Sequence, residues 1–388
     1  MMAASRARLA PLVRPQVVAA SGGAAVAAEA IAARLRRCAP ALVLVFSAQG
    51  ELLAPISGIL HERFGPGCRV VGCSSAGCFA FGGYRDDRVV AVAFPAASFR
   101  AEAIWLNDLR QHMARDWIMA LRTLSEEFTG IPPGWSRFGL LMIDGLCRRE
   151  ELVAATVDAT LGNLPVLGGS AGDGLRFART HLAIDGHSHP ESAIFCLVAS
   201  AFPVEEVVFD HFTPAGGRMV VTEALPEERV IVSINAEAAA EEYARLIGVP
   251  VAKLGPRAFA EHPLLMRQGG RHVVRAIQEV TSEGSLSLMS SVETGTTMTL
   301  GRPEDLTDGL EARMSGLGPT ALILGFDCVL RRIALEQAGL AAAVGRIYRN
   351  HRVAGFNTYG EQHGGLHVNQ TFVGLAFLEP EPGHAAPG

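Results

Sequence analysis

Phe138-Gly-Leu-Leu-Met-Ile-Asp-Gly145 begins as an unbroken apolar run and ends in a carboxylate followed by a glycine. An apolar run of this length predicts a strand that is buried on both faces. Residues 150–161 are then predicted to form a helix, and Pro165-Val-Leu-Gly-Gly-Ser-Ala-Gly-Asp-Gly174 starts as a second strand. The order strand, helix, strand is a βαβ unit. It predicts an α/β fold with parallel strands and with polar groups gathered at their carboxyl ends.

Similar signals recur along the chain, although no fixed-period repeat is visible. Further strands are predicted over residues 41–46, 69–73, 320–325, 352–356 and 372–377. Further helices are predicted over residues 51–64, 105–127 and 330–348.

A chain of 388 residues is too long for one ordinary core. We therefore predict two mixed-sheet modules, residues 41–220 and 221–378, with a ligand cleft between or within them. The boundary is placed near residue 220, where the chain changes to short β segments and turns. Residues 379–388 are rich in proline and glycine and are predicted to be a disordered tail.

Composition excludes several classes of function. A net charge of −5 without a cluster of basic residues predicts no surface that would bind nucleic acid. The seven cysteines are odd in number and scattered mostly through apolar strand-like segments, which favours reduced, buried thiols and a cytoplasmic protein. They form no Cys-x-x-Cys pair, so neither a zinc ribbon nor a thioredoxin-type motif is available. No apolar run approaches the ~20 residues that a membrane-spanning helix needs, so no membrane insertion is expected.

The segment 355–374, Gly-Phe-Asn-Thr-Tyr-Gly-Glu-Gln-His-Gly-Gly-Leu-His-Val-Asn-Gln-Thr-Phe-Val-Gly, concentrates hydrogen-bonding side chains between two strand-like runs. Its donors and acceptors alternate with aromatic residues, which is typical of a ligand site. An ordinary polar hairpin is the alternative interpretation. Asp144, Asp173, Asp327 and Glu361 lie at predicted strand ends, where acids could act as catalysts or simply cap turns. Because no nucleophile or metal cage completes a mechanism, we do not expect an enzyme.

Histidine is the commonest axial ligand of haem iron, and the chain has twelve histidines. His363 and His367 have the i, i+4 spacing of a metal pair on a helix, but the glycines between them argue against a helix and a zinc site. Each histidine taken singly is also well explained as a hydrogen-bonded or exposed side chain.

Motifs in both halves of the chain resemble the FIST superfamily, which comprises bacterial intracellular sensory domains. The resemblance extends from about residue 41 to 378. The first half carries Val70-Val-Gly-Cys-Ser-Ser-Ala-Gly77, Asp144-Gly145 and Pro165-Val-Leu-Gly-Gly-Ser-Ala-Gly-Asp173. The second half carries Glu242-Tyr243, His262-Pro-Leu264, Val274-Arg275, Asp327-Cys-Val-Leu-Arg-Arg332, Tyr359-Gly-Glu361 and His367-Val-Asn-Gln-Thr371. Within the superfamily, these details are most similar to stand-alone, haem-binding nitric-oxide sensors.

The resemblance implies a haem cofactor, nitric oxide as signal, and a partner histidine kinase or cyclic-di-GMP enzyme, a diguanylate cyclase or phosphodiesterase. It does not carry over an axial ligand. His211 is the first candidate, because Asp210-His211-Phe212 lies near the predicted module junction, where aromatic side chains could wall a cleft. His367 is the second candidate and His262 the third.

The ligand-binding residues are expected among the strand-end motifs: Asp144, Gly168, Gly169, Asp173, Arg331, Tyr359, Glu361, Asn369 and Thr371. The alternative function is a FIST-type receptor for a small metabolite such as an amino acid, without haem. Carboxylate, guanidinium and amide groups would suit a zwitterion as well as they suit haem propionates. A hydrolase or transferase is the third interpretation.

Overall fold

The structure is a computed structural model that describes residues 12–85, 88–111, 114–268 and 270–379. Its α-helices within these ranges are α1 Ala24–Leu35, α2 Leu53–Phe64, α3 Ala114–Glu127, α4 Glu150–Leu161, α5 Ala239–Ile247, α6 Pro256–Glu261, α7 Asp308–Ser315, α8 Val329–Gln337 and α9 Ala341–Asn350. Short 3-10 turns cover Gly50–Leu52, Pro226–Glu228 and Val251–Lys253. Among the helices of the described ranges, none combines the length and apolar character needed to cross a bilayer.

The strands of the same ranges, in chain order, are β1 Gln16–Ala20, β2 Pro40–Ser47, β3 Arg69–Ser74, β4 Cys78–Ala80, β5 Gly83–Tyr84, β6 Val89–Pro95, β7 Phe99–Leu106, β8 Ser136–Ile143, β9 Val166–Ser170, β10 Leu182–Ile184, β11 Ala193–Ser200, β12 Val204–Phe209, β13 Phe212–Leu225, β14 Val230–Ile234, β15 Glu237–Ala238, β16 Leu264–Gln268, β17 Arg271–Arg275, β18 Ile277–Val280, β19 Leu286–Leu288, β20 Thr297–Pro303, β21 Thr320–Cys328, β22 Val353–Thr358, β23 Glu361–His363, β24 Leu366–Val368 and β25 Phe372–Leu378.

Three of the sheets repeat one pattern. Their common strand orders are β1-β6-β2-β3-β10, β7-β11-β8-β9-β23 and β12-β25-β21-β22-β4, with β24 added beyond β23 and β5 beyond β4. In each sheet the third and fourth strands are parallel and joined by helices, namely α2, α4, or α8 with α9. The other neighbours are antiparallel. The fold is therefore built from three βαβ units of the same design.

The fifth strand of each pattern comes from another unit. Strand β4 leaves the first unit and pairs with β22, β10 leaves the second unit and pairs with β3, and β23 leaves the third unit and pairs with β9. The first unit thus completes the third sheet, the third unit completes the second sheet, and the second unit completes the first sheet.

The three sheets pack their inner faces around one apolar core. Residues such as Phe46, Phe138 and Phe356 from the three sheets belong to this single buried cluster. Phe46 and Phe356 stack at 4.7 Å between ring centroids, a geometry worth about 0.5–1.5 kcal/mol beyond area burial. The helices cover the outer faces: α1 and α2 on the first sheet, α3 and α4 on the second, and α7 to α9 on the third.

A fourth sheet is inserted within the third unit, between β12 and β21. Its strand order is β17-β16-β20-β13-β14-β19-β18, and β15 pairs with β14. This sheet has its own apolar core with α5, in which Tyr243 is fully buried. Two loops of the insertion, around residues 226–229 and 288–291, reach α4 of the second unit.

The structure confirms the α/β fold with mixed sheets and the βαβ unit of residues 138–170, where β8 and β9 are parallel. The predicted helix over 105–127 is wrong in its first part, because Trp105 lies in β7, which pairs with β11 along its whole length. The helix over 330–348 is two helices, α8 and α9, separated at Gly339 in the left-handed region at φ +70°. Strand β13 crosses residue 220 without a break, and the module boundary stays a prediction. Of the predicted tail, residues 379–388, only Glu379 belongs to the described residues, where it pairs with Arg14.

Candidate functional site

The turns that follow β3, β9 and β22 meet at the carboxyl ends of the three parallel pairs and hydrogen-bond to one another. The Ala76 N–H donates to the Asn357 carbonyl at 2.8 Å, and the Tyr359 N–H donates to the Ser170 carbonyl at 3.1 Å. The Gly172 N–H donates to the carbonyl of Ser74 at 3.1 Å. Segments from the two halves of the chain are thereby fixed as one polar centre.

Tyr359 is the side chain that ties this centre together. Its hydroxyl donates to the carboxylate of Asp173, which also accepts the backbone N–H groups of Phe177, Ala178 and Arg179 at 2.9–3.0 Å. Burial alone would raise the pKa of Asp173, but these donors outweigh it and hold the pKa below its usual value. Asp173 is therefore ionised at neutral pH and organises the loop that follows it.

A cavity of about 680 Å³ opens beside Tyr359. Its volume lies within the ~300–1,000 Å³ of small-molecule sites. The lining residues come from the β8–α4 loop, the loop after Asp173 and the inserted sheet: Arg110, Gly145, Leu146, Cys147, Arg148, Arg149, Glu150, Phe177, Ala178, Glu227, Arg229, Gln278, Leu288, Met289 and Tyr359. Four arginines face two glutamates in this set, which favours an anionic ligand.

Arg229 is a buried arginine of the cavity lining. Its guanidinium donates to the carboxylates of Glu150 and Glu151 and to the Met289 carbonyl, yet its Nε has no hydrogen-bond partner in the described chain. Only 7% of Arg229 is exposed. Burial lowers the pKa of its guanidinium, but Glu150 and Glu151 outweigh that effect and raise it, so Arg229 stays charged.

Arg148 and Arg149, at the cavity rim, are less fully neutralised by carboxylates than Arg229 is. Arg149 is ion-paired with Glu227, whose side chain is 78% exposed. Arg148 contacts the Glu228 carbonyl at 3.5 Å, and no carboxylate of the described residues pairs with it. A ligand anion at this rim would therefore meet a guanidinium that the protein has not already neutralised.

The backbone is strained at several points of the cavity wall. Phe177, Arg148 and Arg229 adopt φ values of +49°, +57° and +58°, in the left-handed region that disfavours residues with a side chain. Such outliers persist only where surrounding contacts enforce them, and they cluster at ligand sites. The Asp173 carboxylate enforces the Phe177 conformation by accepting its N–H.

Cys147 also lines the cavity. Burial raises the pKa of its thiol well above the usual value, with a further contribution from the charge of Glu150. The group is therefore a neutral thiol at neutral pH, which disfavours a role as nucleophile.

Several sequence-predicted ligand residues point into the protein instead of the cavity. Asp144 accepts the N–H of Leu146 at 3.0 Å and of Glu191 at 3.2 Å, and it also accepts the Thr180 hydroxyl, so it is a loop organiser. Gly168 and Gly169 lie in the interior of β9. A Cβ at Gly168 would stand 1.7 Å from the Leu141 carbonyl oxygen, so close strand packing explains this glycine.

Glu361, Asn369 and Thr371 are fully or almost fully buried. Burial raises the pKa of Glu361 well above its usual value, and Thr358 donates a hydrogen bond to its carboxyl group. Asn369 accepts the Ser290 hydroxyl at 2.6 Å, which links the segment to the inserted sheet. These side chains hold the polar segment in place.

Arg331 has no exposed surface and forms an ion pair with Asp327 at 2.7 Å. The hydroxyls of Tyr84 and Tyr348 donate to the other Asp327 oxygen at 3.1 and 2.8 Å. The guanidinium is committed to this network inside the third unit. Of the nine predicted ligand residues, the structure brings Tyr359 to the cavity wall.

The three histidines proposed as haem ligands lie in different surroundings. His211 is 2% exposed and lines a second cavity of about 580 Å³, with Arg257, Pro303, Leu306 and Ala334 among its other walls. Its Nδ1 is buried without a hydrogen-bond partner in the described ranges. Burial, with the charge of Arg331, lowers the pKa of His211 to about 3, so the ring is neutral.

His367 is buried, and its ring packs against Gly360, where a Cβ would come within 2.2 Å of the ring carbon Cε1. Its Nδ1 lies 3.2 Å from the Gln362 amide nitrogen, whereas its Nε2 has no partner in the described chain. His262 directly follows α6, and its carbonyl accepts the Tyr243 hydroxyl at 2.8 Å. No group of three or more potential metal-ligating side chains occurs within the described ranges.

The sequence prediction missed the arginines and Phe177. Arg148 and Arg149 come within five residues of the strand end at Asp144, and this position is a signal that could have marked them. Arg229 and Phe177 carry no such signal, because only the packing of distant loops brings them to the cavity.

Comparison with known families matches residues 41–237 to the FIST N domain and residues 239–363 to the FIST C domain. Comparison with curated proteins gives no match. Among solved structures, the cyanuric acid hydrolase from A. caulinodans matches with a TM-score of 0.37 and 9% identity, over 94% of this chain and 99% of that chain. Because consecutive FIST N and FIST C domains cover most of its length, the chain belongs to the FIST family of small-ligand-binding sensor domains in signal transduction.

Proposed function

We propose that this protein senses a small anionic metabolite, such as an amino acid or another carboxylate, in the 680 Å³ cavity beside Tyr359. The observation that chiefly supports this proposal is the arginine lining of the cavity, in which Arg148 lacks a carboxylate partner among the described residues. A carboxylate fits a guanidinium through two parallel hydrogen bonds, and partial burial strengthens such charge-assisted bonds.

The position of the cavity suits a sensor. Residues Arg110 to Arg229 of its lining fall in the FIST N match, whereas Gln278, Met289 and Tyr359 fall in the FIST C match. A ligand there would contact both domains. By the linkage between binding and conformation, it can stabilise one arrangement of the domains and so control a partner such as a histidine kinase or a cyclic-di-GMP enzyme.

Binding of amino acids and small carboxylates, measured by thermal shift and calorimetry, tests the proposal. Arg148→Gln and Arg149→Gln should each weaken binding by about 10- to 100-fold, the loss expected for one charge-assisted contact. Arg63→Gln is the matched control, because Arg63 is an exposed arginine paired with Glu29 outside the cavity. Affinity that is unchanged in both cavity variants, or no anion binding at all, would refute the assignment.

Haem-dependent sensing of nitric oxide is the second candidate, and the neutral, buried ring of His211 favours it. The residues present fit the group: a neutral imidazole can ligate haem iron, Leu306 and Ala334 offer apolar walls, and Arg257 can meet a propionate. Haem would supply the iron that binds nitric oxide. The contribution of the chain is to hold the imidazole neutral and to exclude water from it.

An absorption spectrum of protein purified with haem available, before and after exposure to nitric oxide, tests this candidate. His211→Ala should abolish the haem band, whereas His187→Ala, a change at an exposed histidine, should leave it intact. Loss of the band only in His367→Ala or His262→Ala would move the ligand to those positions. Protein without stoichiometric haem would exclude the candidate and leave the anion sensor.

A further inference from the structure

The ring of Phe177 is placed where it can contact a ligand. Its side chain lines the 680 Å³ cavity and is partly exposed. One face of the ring stacks on Tyr359, with 4.5 Å between centroids and 22° between planes. The part of the ring that reaches the cavity is therefore the surface that Tyr359 leaves uncovered.

The protein holds this ring in place against a conformational preference. Phe177 has φ +49°, a genuine outlier for a bulky residue, and its N–H is fixed by Asp173 at 2.9 Å. Asp173 is fixed in turn by the Tyr359 hydroxyl. A strained residue kept by a dedicated network is a feature of pre-organised ligand contacts.

Apolar side chains accompany the ring in the cavity wall. Leu146, Leu288 and Met289 line the same cavity, and Leu146 packs in the small apolar cluster that contains Tyr359 and Phe177. Leucine and methionine contact aromatic groups favourably, and the methionine sulfur adapts to the edge of a ring. The wall therefore combines an aromatic platform with an apolar lining, next to the guanidinium of Arg148.

We propose that the ligand of this cavity carries a planar aromatic ring as well as its anionic group, with the ring stacked on Phe177 and the anion held by the rim arginines. The inference rests on the proposed anion-sensing function and specifies its ligand class. Aromatic carboxylates and purine nucleotides both have this chemistry, and both are small enough to be probes of a cavity of this volume.

The test compares probes that differ in ring planarity at equal charge. Wild-type protein is titrated by calorimetry with benzoate and indole-3-acetate against cyclohexanecarboxylate, and with adenosine and guanosine monophosphates against ribose 5-phosphate. In one of the two pairs we expect the aromatic member to bind about 5- to 100-fold more tightly, the range of ring stacking. The pair that shows the difference identifies the source of the ring.

Variants of the platform complete the test. Phe177→Leu should remove the preference for the aromatic probe, whereas Phe177→Tyr should retain it. Phe81→Leu is the matched control, because Phe81 is a partly buried aromatic outside the cavity, under Arg352. Because the probe comparison uses unaltered protein, it decides the question even where Phe177→Leu fails to fold.

The outcomes separate the two proposals. Equal binding of aromatic and non-aromatic anions, each weakened by Arg148→Gln, would overturn the aromatic inference and keep the anion sensor. An aromatic preference that survives Phe177→Leu would also overturn the inference. Absence of binding by every anion tested would overturn the proposed function itself.

Discussion

Tyr359, in the FIST C domain, donates its hydroxyl hydrogen to the carboxylate of Asp173 in the FIST N domain, across 186 residues of sequence. The bond joins the turn after β22 to the loop that carries Phe177 into the cavity wall. The geometry of the candidate site therefore depends directly on a contact between the two domains.

Tyr359→Phe should lower the free energy of unfolding by about 1.5–3 kcal/mol, because it removes a hydrogen bond to a charged, buried acceptor. Tyr243→Phe is the control, since the Tyr243 hydroxyl donates to a neutral carbonyl, that of His262. Its loss should be nearer 1 kcal/mol. Denaturant unfolding checks both values, and an equal loss in the two variants would contradict the special role of Asp173.

Arg229→Met should lower the free energy of unfolding by about 3–5 kcal/mol, because the carboxylates of Glu150 and Glu151 lose their shared cation. Arg245→Met is the matched control: Arg245 also pairs with a glutamate, Glu242, but its side chain is 68% exposed. Its effect should be far smaller, since water screens exposed pairs. Equal denaturation midpoints for the two variants would show that the buried ion pairs of Arg229 stabilise the protein no more than an exposed pair does.

Stability should fall with acid through Glu151. Burial raises the pKa of this carboxyl, but the charges of His367 when protonated and of Arg229, with the Ser291 N–H, outweigh burial and bring the pKa to about 2. Because the pKa in the folded protein lies below the unfolded value of about 4.3, the stabilisation is complete above about pH 5 and is lost as the pH falls towards 2.

Unfolding free energies between pH 7 and pH 3 measure this contribution. Glu151→Gln should show a shallower decline with acid than the wild-type chain in the same buffers, since the variant has no proton to take up at this position. Parallel declines would mean that Glu151 does not titrate as the structure implies.

Gly168→Ala should destabilise the protein by more than about 3 kcal/mol or prevent folding, because the added methyl group meets the Leu141 carbonyl oxygen across the parallel pair. Gly67→Ala is the control: nothing lies within 4 Å of a Cβ added there. Thermal melts of the two variants give the comparison. A mild effect at Gly168 would favour the earlier expectation that this glycine serves a ligand instead of strand packing.

Local sequence patterns were sufficient for the strands and helices of the βαβ units, because a buried strand needs a continuous apolar run wherever its partners come from. They also located the polar turns that meet at Tyr359. They could not separate α8 from α9, since the decisive feature is the left-handed conformation at Gly339. They did not reveal the three-unit repeat, because the units share strand order more than sequence.

The sequence by itself determined the α/β class, the positions of the main strands and the motifs of the FIST family. Only the tertiary structure decided that Asp144, Asp173 and Arg331 bind other groups of the protein. It also decided that Arg148, Arg229 and Phe177 face a cavity. The physical reason is distance along the chain. Arg331 pairs with Asp327 four residues away, but Tyr359 reaches Asp173 across 186 residues and Arg229 reaches Glu150 across 79, and no local pattern shows which of such distant groups will meet.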